Sequence, residues 1–325
     1  MIEACNLGKN YIVKKKKHLF RTERKRINAV KNLHLCIKEG EIVGLLGLNG
    51  AGKTTTIKML STLLNPSEGR ITVDGLDIVN DAMQVKGLVN MIAGGERMLY
   101  WRLSGIQNLR YFGKLYGLKG KQLETRISSL LEEVGLTTAA DTPVELYSKG
   151  MKQRLQIARG LINDPKYLFL DEPTLGLDAP VAKQLRQMVK RLAKEERKGI
   201  LLTSHYLEEV EELCDRVYII EKGSLLLHDT PENIISTVVK KFHLKVVTSS
   251  LSKPQVENIK QNMTDCSILF TEQIDATVIE IMAEFDPTSK LLNLCMSETI
   301  SIQSLEMKRP SLEDAILTLA KESLS

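Results

Sequence analysis

At 325 residues the chain is long enough for one large domain and a smaller one. Its net charge of +5 is local: residues 14–26 set eight Lys and Arg against Glu23, a net +7, so the rest sums to −2 and the basic pI gives no argument for nucleic-acid binding by the whole chain. No apolar run approaches the ~18 residues that cross a bilayer, Met1-Ile2-Glu3 begins no signal peptide, and Cys5, Cys36, Cys214, Cys266 and Cys295 are too scattered for a disulfide framework or a zinc site.

Residues 1–13 read as a first strand and its turn. Tyr11 within them is either a base-stacking aromatic or a packed surface tyrosine. The basic run lies between two strand-like stretches, so an enlarged hairpin or loop is expected. It either meets anionic lipid head groups or an acidic partner face, at about 1 kcal/mol per Lys or Arg, or is a solvated loop.

Glu41 to Leu46 is mostly apolar and reads as a buried strand. It ends at Gly47-Leu48-Asn49-Gly50-Ala51-Gly52-Lys53-Thr54, the G-x-x-x-x-G-K-T pattern of a phosphate-binding loop. Gly47, Gly50 and Gly52 let the chain curl and turn its N–H groups inward, toward phosphate oxygens. Lys53 adds a point charge for the β- and γ-phosphates, and Thr54 a hydroxyl for Mg²⁺. Thr54 to Leu63 is expected to be a helix, with Ile57, Leu60 and Leu64 on its buried face.

Arg70 to Val73 and Val89 to Ala93 look like short strands. Between about Ser104 and Tyr147 the period changes to helical, with Leu109, Phe112, Leu115 and Tyr116, then Leu123, Ile127, Leu130, Leu131 and Val134. Just ahead of a further helix stands Tyr147-Ser148-Lys149-Gly150-Met151-Lys152-Gln153-Arg154. Ser148 and Gly150 at a helix start would form a second anion seat. A seat so far in sequence from the first suggests ATP held between two copies.

Lys166 to Leu170 is a strand that runs into Asp171-Glu172-Pro173-Thr174. The strand's end carries both carboxylates into the phosphate site. Asp171 suits Mg²⁺, through water, and Glu172 suits a general base for the attacking water. A helix with Leu185, Met188, Val189 and Leu192 follows, then strand Gly199 to Thr203, ending at Ser204-His205. His205 can reach the γ-phosphate and hold Glu172 and the water in line. Val217 to Glu221 is another strand. The alternation implies a mainly parallel sheet with helices on both faces and ligands at the strands' carboxyl ends. Beyond about residue 240, Leu244 to Val247 and Ala276 to Ile281 suggest strands, and Ser311 caps a last helix with Asp314 three residues on.

Together these residues resemble the ATP-binding subunit of an ABC transporter over about residues 1–235. Residues 47–54 resemble the Walker A motif, 147–153 the signature, and 167–174 the Walker B motif. Leu175 to Asp178 resemble the D-loop, Ser204-His205 the switch histidine and Tyr11 the adenine-stacking aromatic. The resemblance implies a P-loop ABC ATPase domain over 1–240, α/β with a helical subdomain at about 95–160, and a small α+β appendix over 241–325. It implies ATP and Mg²⁺ held by Asn49, Gly50, Ala51, Gly52, Lys53, Thr54 and Thr55 of one copy and by Ser148 and Gly150 of another, with Glu96 and Asp178 also among the nucleotide-binding residues. The sequence departs from the family at Lys149, Met151 and Leu175. Where the Q-loop glutamine is expected it reads Gly94-Gly95-Glu96-Arg97, so either Gly95 or Glu96 takes that place.

Tyr147-Ser148-Lys149-Gly150-Met151, Gly94-Gly95-Glu96-Arg97 and the final helix opening Pro310-Ser311-Leu312-Glu313-Asp314 are similar to drug- and antibiotic-exporter ATPases such as the daunorubicin-resistance proteins. That branch implies a membrane-spanning permease on a separate chain, a place on the cytoplasmic face of the cell membrane, and no nucleic-acid partner. A soluble ABC-type ATPase acting on ribosomes or DNA is the competing expectation. Such proteins usually fuse two ATP modules or insert long coiled coils, and here there is one P-loop and no sustained heptad.

Overall fold

The chain opens on a long antiparallel hairpin, β1 (Ile2–His18) and β2 (Arg21–Ile37). The computed structural model describes residues 1–18, 21–93, 99–238, 242–308 and 310–322, and of residues 13–25 the backbone ladder alone. These residues divide into two units, Met1–Pro231 and Glu232–Ser325.

In the first unit the apolar run after the hairpin becomes β3 (Ile42–Leu46), buried at all five positions. The glycine-rich loop leads from it into α1 (Lys53–Leu60). β4 (Glu68–Val73) and β5 (Leu76–Asp77) then close an antiparallel sheet of order β2-β1-β4-β5. Periodicity had not distinguished this sheet from the parallel one, because strand pairing is a long-range fact.

α2 (Ala82–Leu88) leads to β6 (Val89–Ala93). The helical stretch follows as α3 (Gly105–Leu115), α4 (Gly120–Glu133) and α5 (Lys149–Gly160). α3 starts where it does because of a capping box: Gln107 N donates to Ser104 Oγ, and Ser104 N donates to Gln107 Oε1. Leu123, Ile127, Leu130 and Leu131 form the buried stripe of α4, as their 3–4 spacing requires. Then come β7 (Tyr167–Asp171), α6 (Ala179–Lys194), β8 (Gly199–Thr203), α7 (Leu207–Leu213), β9 (Arg216–Glu221) and β10 (Ser224–Asp229).

The second sheet has the order β10-β9-β3-β8-β7-β6, parallel throughout except for the β9–β10 hairpin. Strands covered on both faces read as unbroken apolar runs, which is why β3, β7, β8 and β9 were legible. One apolar core joins the two sheets. Ile2, Leu33, Ile37 and Ile71 of the first meet Val43, Leu45, Phe169 and Leu201 of the second, together with Ile57 and Leu60 of α1. The order also decides the chemistry. It sets the carboxyl ends of β3, β8 and β7 side by side, at the ~4.8 Å step of neighbouring strands.

The second unit begins within α8 (Pro231–Val238), and there β11 (Phe242–Ser249), α9 (Lys253–Asn262), β12 (Ser267–Gln273), β13 (Ala276–Ala283), α10 (Thr288–Ser297) and β14 (Ile302–Lys308) are followed by α11 (Leu312–Glu322). Its sheet is antiparallel, with order β12-β13-β11-β14. This β-α-β-β-α-β chain order and strand order make the ferredoxin-like arrangement. Leu244, Val246, Ile279 and Ile281 of the sheet share a core with Ile259, Leu291 and Cys295 of the helices. α11 opens with Asp314 N donating to Ser311 Oγ and Ser311 N donating to Asp314 Oδ2. Among the described residues no helix is long and apolar enough to cross a membrane.

Candidate functional site

The glycine-rich loop begins where β3 ends, and two close approaches set its path. A Cβ at Gly47 would come 2.2 Å from Ile220 O, and one at Gly52, whose φ is 109°, would come 2.6 Å from Ala29 O. The loop is also tied to the β9–β10 turn, where Gly223 N donates to Ala51 O at 3.0 Å. Gly52 is the N-cap of α1 and has no side chain to satisfy the first-turn N–H groups. They are left for an anion, in the field of the helix N-terminus.

Lys53 is buried, with Nζ donating to Gly47 O at 2.6 Å and to Leu48 O at 3.4 Å across the loop. Burial lowers the pKa of its ammonium, and the carboxylates of Glu172 and Asp171 oppose that shift. Thr54 is exposed, Thr55 half-buried, and Thr56 turns back to donate to Gly52 O at 3.0 Å. Residues 49–55, Ala29 and Glu172 enclose a cavity of ≈ 180 Å³.

The neighbouring strand ends supply the charges. Asp171 and Thr203 face each other across β7 and β8, and Thr203 Oγ1 donates to Asp171 Oδ1 at 2.6 Å. Glu172 N donates to Thr203 O at 3.0 Å and to Thr203 Oγ1 at 3.2 Å. Glu172 has a φ of 54°, a left-handed conformation that non-glycine residues seldom adopt and that clusters at functional sites. Its Oε1 lies 2.7 Å from His205 Nε2, at the end of β8. The structure thus brings Asn49 to Thr55, Asp171, Glu172 and His205 to the carboxyl ends of β3, β7 and β8.

Mg²⁺ fits this donor set. Among the described residues no group of three or more His, Cys, Asp or Glu could cage a metal. One hydroxyl and one or two carboxylates, completed by water and phosphate oxygens, are what Mg²⁺ takes in nucleotide sites.

Other expected residues lie elsewhere. Ser148 is the N-cap of α5 and accepts from Met151 N at 3.2 Å. Gly150 packs on Val181 of α6, and Asp178 is the N-cap of that helix. Lys149 Nζ lies over Gly176, where a Cβ would come within 2.0 Å of it. None of these four lines the cavity at residues 49–55. Tyr11 is 36% exposed and stands opposite Ile27 in the hairpin ladder, two positions before the cavity residue Ala29. Glu96 and its neighbours Gly94, Gly95 and Arg97 lie outside the described residues.

Sequence reasoning passed over Thr203, Thr174, Ser204 and Glu209. A threonine ending a strand beside an acidic pair was the available signal for Thr203. Glu209, four residues beyond His205 on a helix, was the signal for a carboxylate turned back toward the same loop.

Comparison with known proteins shows the family. The ABC transporter family model matches residues 30–175. The chain is 43% identical over 215 residues to the ABC transporter ATP-binding protein NatA of Bacillus subtilis (strain 168), covering 66% of this chain and 87% of NatA. It is 34% identical over 294 residues to the daunorubicin resistance ATP-binding protein DrrA2 of Streptomyces coeruleorubidus, covering 90% of each. The dimeric, post-hydrolysis structure of the ATP-binding cassette MJ0796 with ADP and Pi shares the fold, with TM-score 0.62 and 24% identity over 71% of this chain and 98% of that one. The chain belongs to the ABC transporter family, as an ATP-binding and ATP-hydrolysing subunit.

Proposed function

We propose that this chain powers an exporter whose permease is a separate polypeptide, and that it works as a head-to-tail dimer at the cytoplasmic face of the membrane. The observation that carries the catalytic part is the 2.7 Å contact between Glu172 and His205 beside the phosphate loop. The N–H groups of residues 49–55 and the Lys53 ammonium hold the triphosphate. Thr54 and Asp171 hold Mg²⁺, which neutralises charge on the β- and γ-phosphates when bound. Glu172 accepts the proton of the attacking water. His205 fixes the Glu172 carboxylate and reaches the γ-phosphate. These groups act by position and electrostatics, which is most of what phosphoryl transfer needs.

Tyr11 stacks on adenine. Ser148 and Gly150, remote from the chain's own loop, close on the nucleotide of a second copy, with Asp178 at the same seam. The dimeric state named for the MJ0796 cassette supports this arrangement. Glu96 takes the Q-loop place.

For the permease, the exposed aromatics Tyr100, Trp101 and Tyr111 offer an apolar landing surface on the helical part. A small amphipathic cargo, drug or antibiotic, is favoured by the 90% coverage shared with DrrA2. No nucleic acid takes part. The unit from residue 232 onward is an accessory domain.

Affinity capture of the tagged full chain from native membranes in mild detergent, with partners identified by mass spectrometry, tests this reading. A polytopic membrane protein is the expected partner. Ribosomal proteins or DNA-repair factors, without a membrane partner, would overturn it in favour of a soluble ATPase.

A further inference from the structure

Glu209 sits on α7, four residues past His205, and is only 3% exposed. A carboxylate this deep is costly unless its oxygens are engaged. Its Oε2 accepts two hydrogen bonds, from Thr174 Oγ1 at 2.9 Å and from Ser204 Oγ at 2.6 Å. Its Oε1 has no hydrogen-bond partner among the described residues. Thr174 and Ser204 are each 4% exposed, so neither hydroxyl has water as a substitute.

The two hydroxyls belong to different functional loops. Thr174 closes the turn after Asp171 and Glu172, and Leu177 N donates to Thr174 O at 3.0 Å on the way to Asp178. Ser204 immediately precedes His205, and its Oγ also accepts from Tyr206 N at 3.0 Å. One carboxylate oxygen therefore pins the loop that carries Asp178 to the loop that carries His205. A mere helix-start charge would not need this, because Glu208 in the same first turn serves the α7 dipole from the surface.

We infer that Glu209 is a positioning residue for ATP hydrolysis, which locks the switch loop to the D-loop so that His205 meets Glu172 while Asp178 faces the second copy. The inference rests on the roles given above to Glu172 and His205. Glu209 does not line the cavity of residues 49–55 and acts through Thr174 and Ser204.

The test is steady-state ATPase kinetics of the full chain with Glu209→Ala and Glu209→Gln. The alanine variant should lose up to about 100-fold in kcat, the cost of misplacing a reacting group by about 1 Å, with KM for ATP within about twofold, because the phosphate loop is untouched. The glutamine variant, which keeps one acceptor oxygen for both hydroxyls, should recover most of that loss. A kcat within about twofold of wild type in Glu209→Ala would overturn the inference. So would a glutamine variant as slow as the alanine one, or KM rising in step with the fall in kcat. Glu172→Gln, assayed alongside, separates the two failures: if it too hydrolyses normally, the assignment of the base has failed, not the positioning alone.

Discussion

Thr203 serves both members of the acidic pair, donating its hydroxyl to Asp171 Oδ1 at 2.6 Å while accepting from Glu172 N. A fully buried side chain one strand away thus sets where both carboxylates stand. Thr203→Val keeps the shape and removes the hydroxyl. Leaving buried polar groups short of a partner costs about 1–3 kcal/mol. The variant should melt a few degrees lower and lose up to about 100-fold in kcat through misplaced carboxylates, with little change in KM. Thermal unfolding and steady-state kinetics on one preparation check this, and a wild-type kcat would contradict it.

Glu172→Gln keeps a similar side chain beside His205 but can no longer take a proton. ATP binding and ATP-driven dimer formation should persist while hydrolysis falls by at least ~10²-fold. Equilibrium ATP binding, size-exclusion chromatography with ATP and single-turnover hydrolysis distinguish the two effects. Near-normal turnover would remove Glu172 from the role of base.

Ser148→Arg places a bulky cation at the capped start of α5, away from the cavity of residues 49–55. The monomer should bind ATP with unchanged affinity, yet neither dimerise nor turn over. Isothermal titration with the monomer and the same chromatography would report this. Loss of ATP binding by the monomer would argue against a site shared between two copies.

Legibility in the sequence followed burial. β3, β7 and β8 were readable because strands covered on both faces are unbroken apolar runs, and β8 spans Gly199 to Thr203 as expected. β10, β12 and β14 were not, because they are half-exposed strands with mixed side chains, such as Ser267 to Gln273. Asp171, Glu172 and His205 could be gathered from their places after strands. The link of Asp171 and Glu172 through Thr203 could not, because it depends on the register of β7 against β8. The closeness of Lys149 to Gly176 was equally hidden, since 27 positions of chain separate two residues that only the tertiary fold brings together.

The interleaved order of the parallel sheet has a consequence for synthesis. β3 ends in the nucleotide loop, yet its neighbours in the sheet are β8 and β9, which leave the ribosome long after it. At roughly 5–20 residues per second, the loop waits about ten seconds or more for the strands that hold it. Until Gly223 arrives to bond Ala51, a nascent chain carries every letter of the phosphate loop without the scaffold that shapes it. Nucleotide binding is thus a late acquisition of the growing polypeptide, and a product truncated within the helical stretch would be an inert fragment rather than a weaker ATPase.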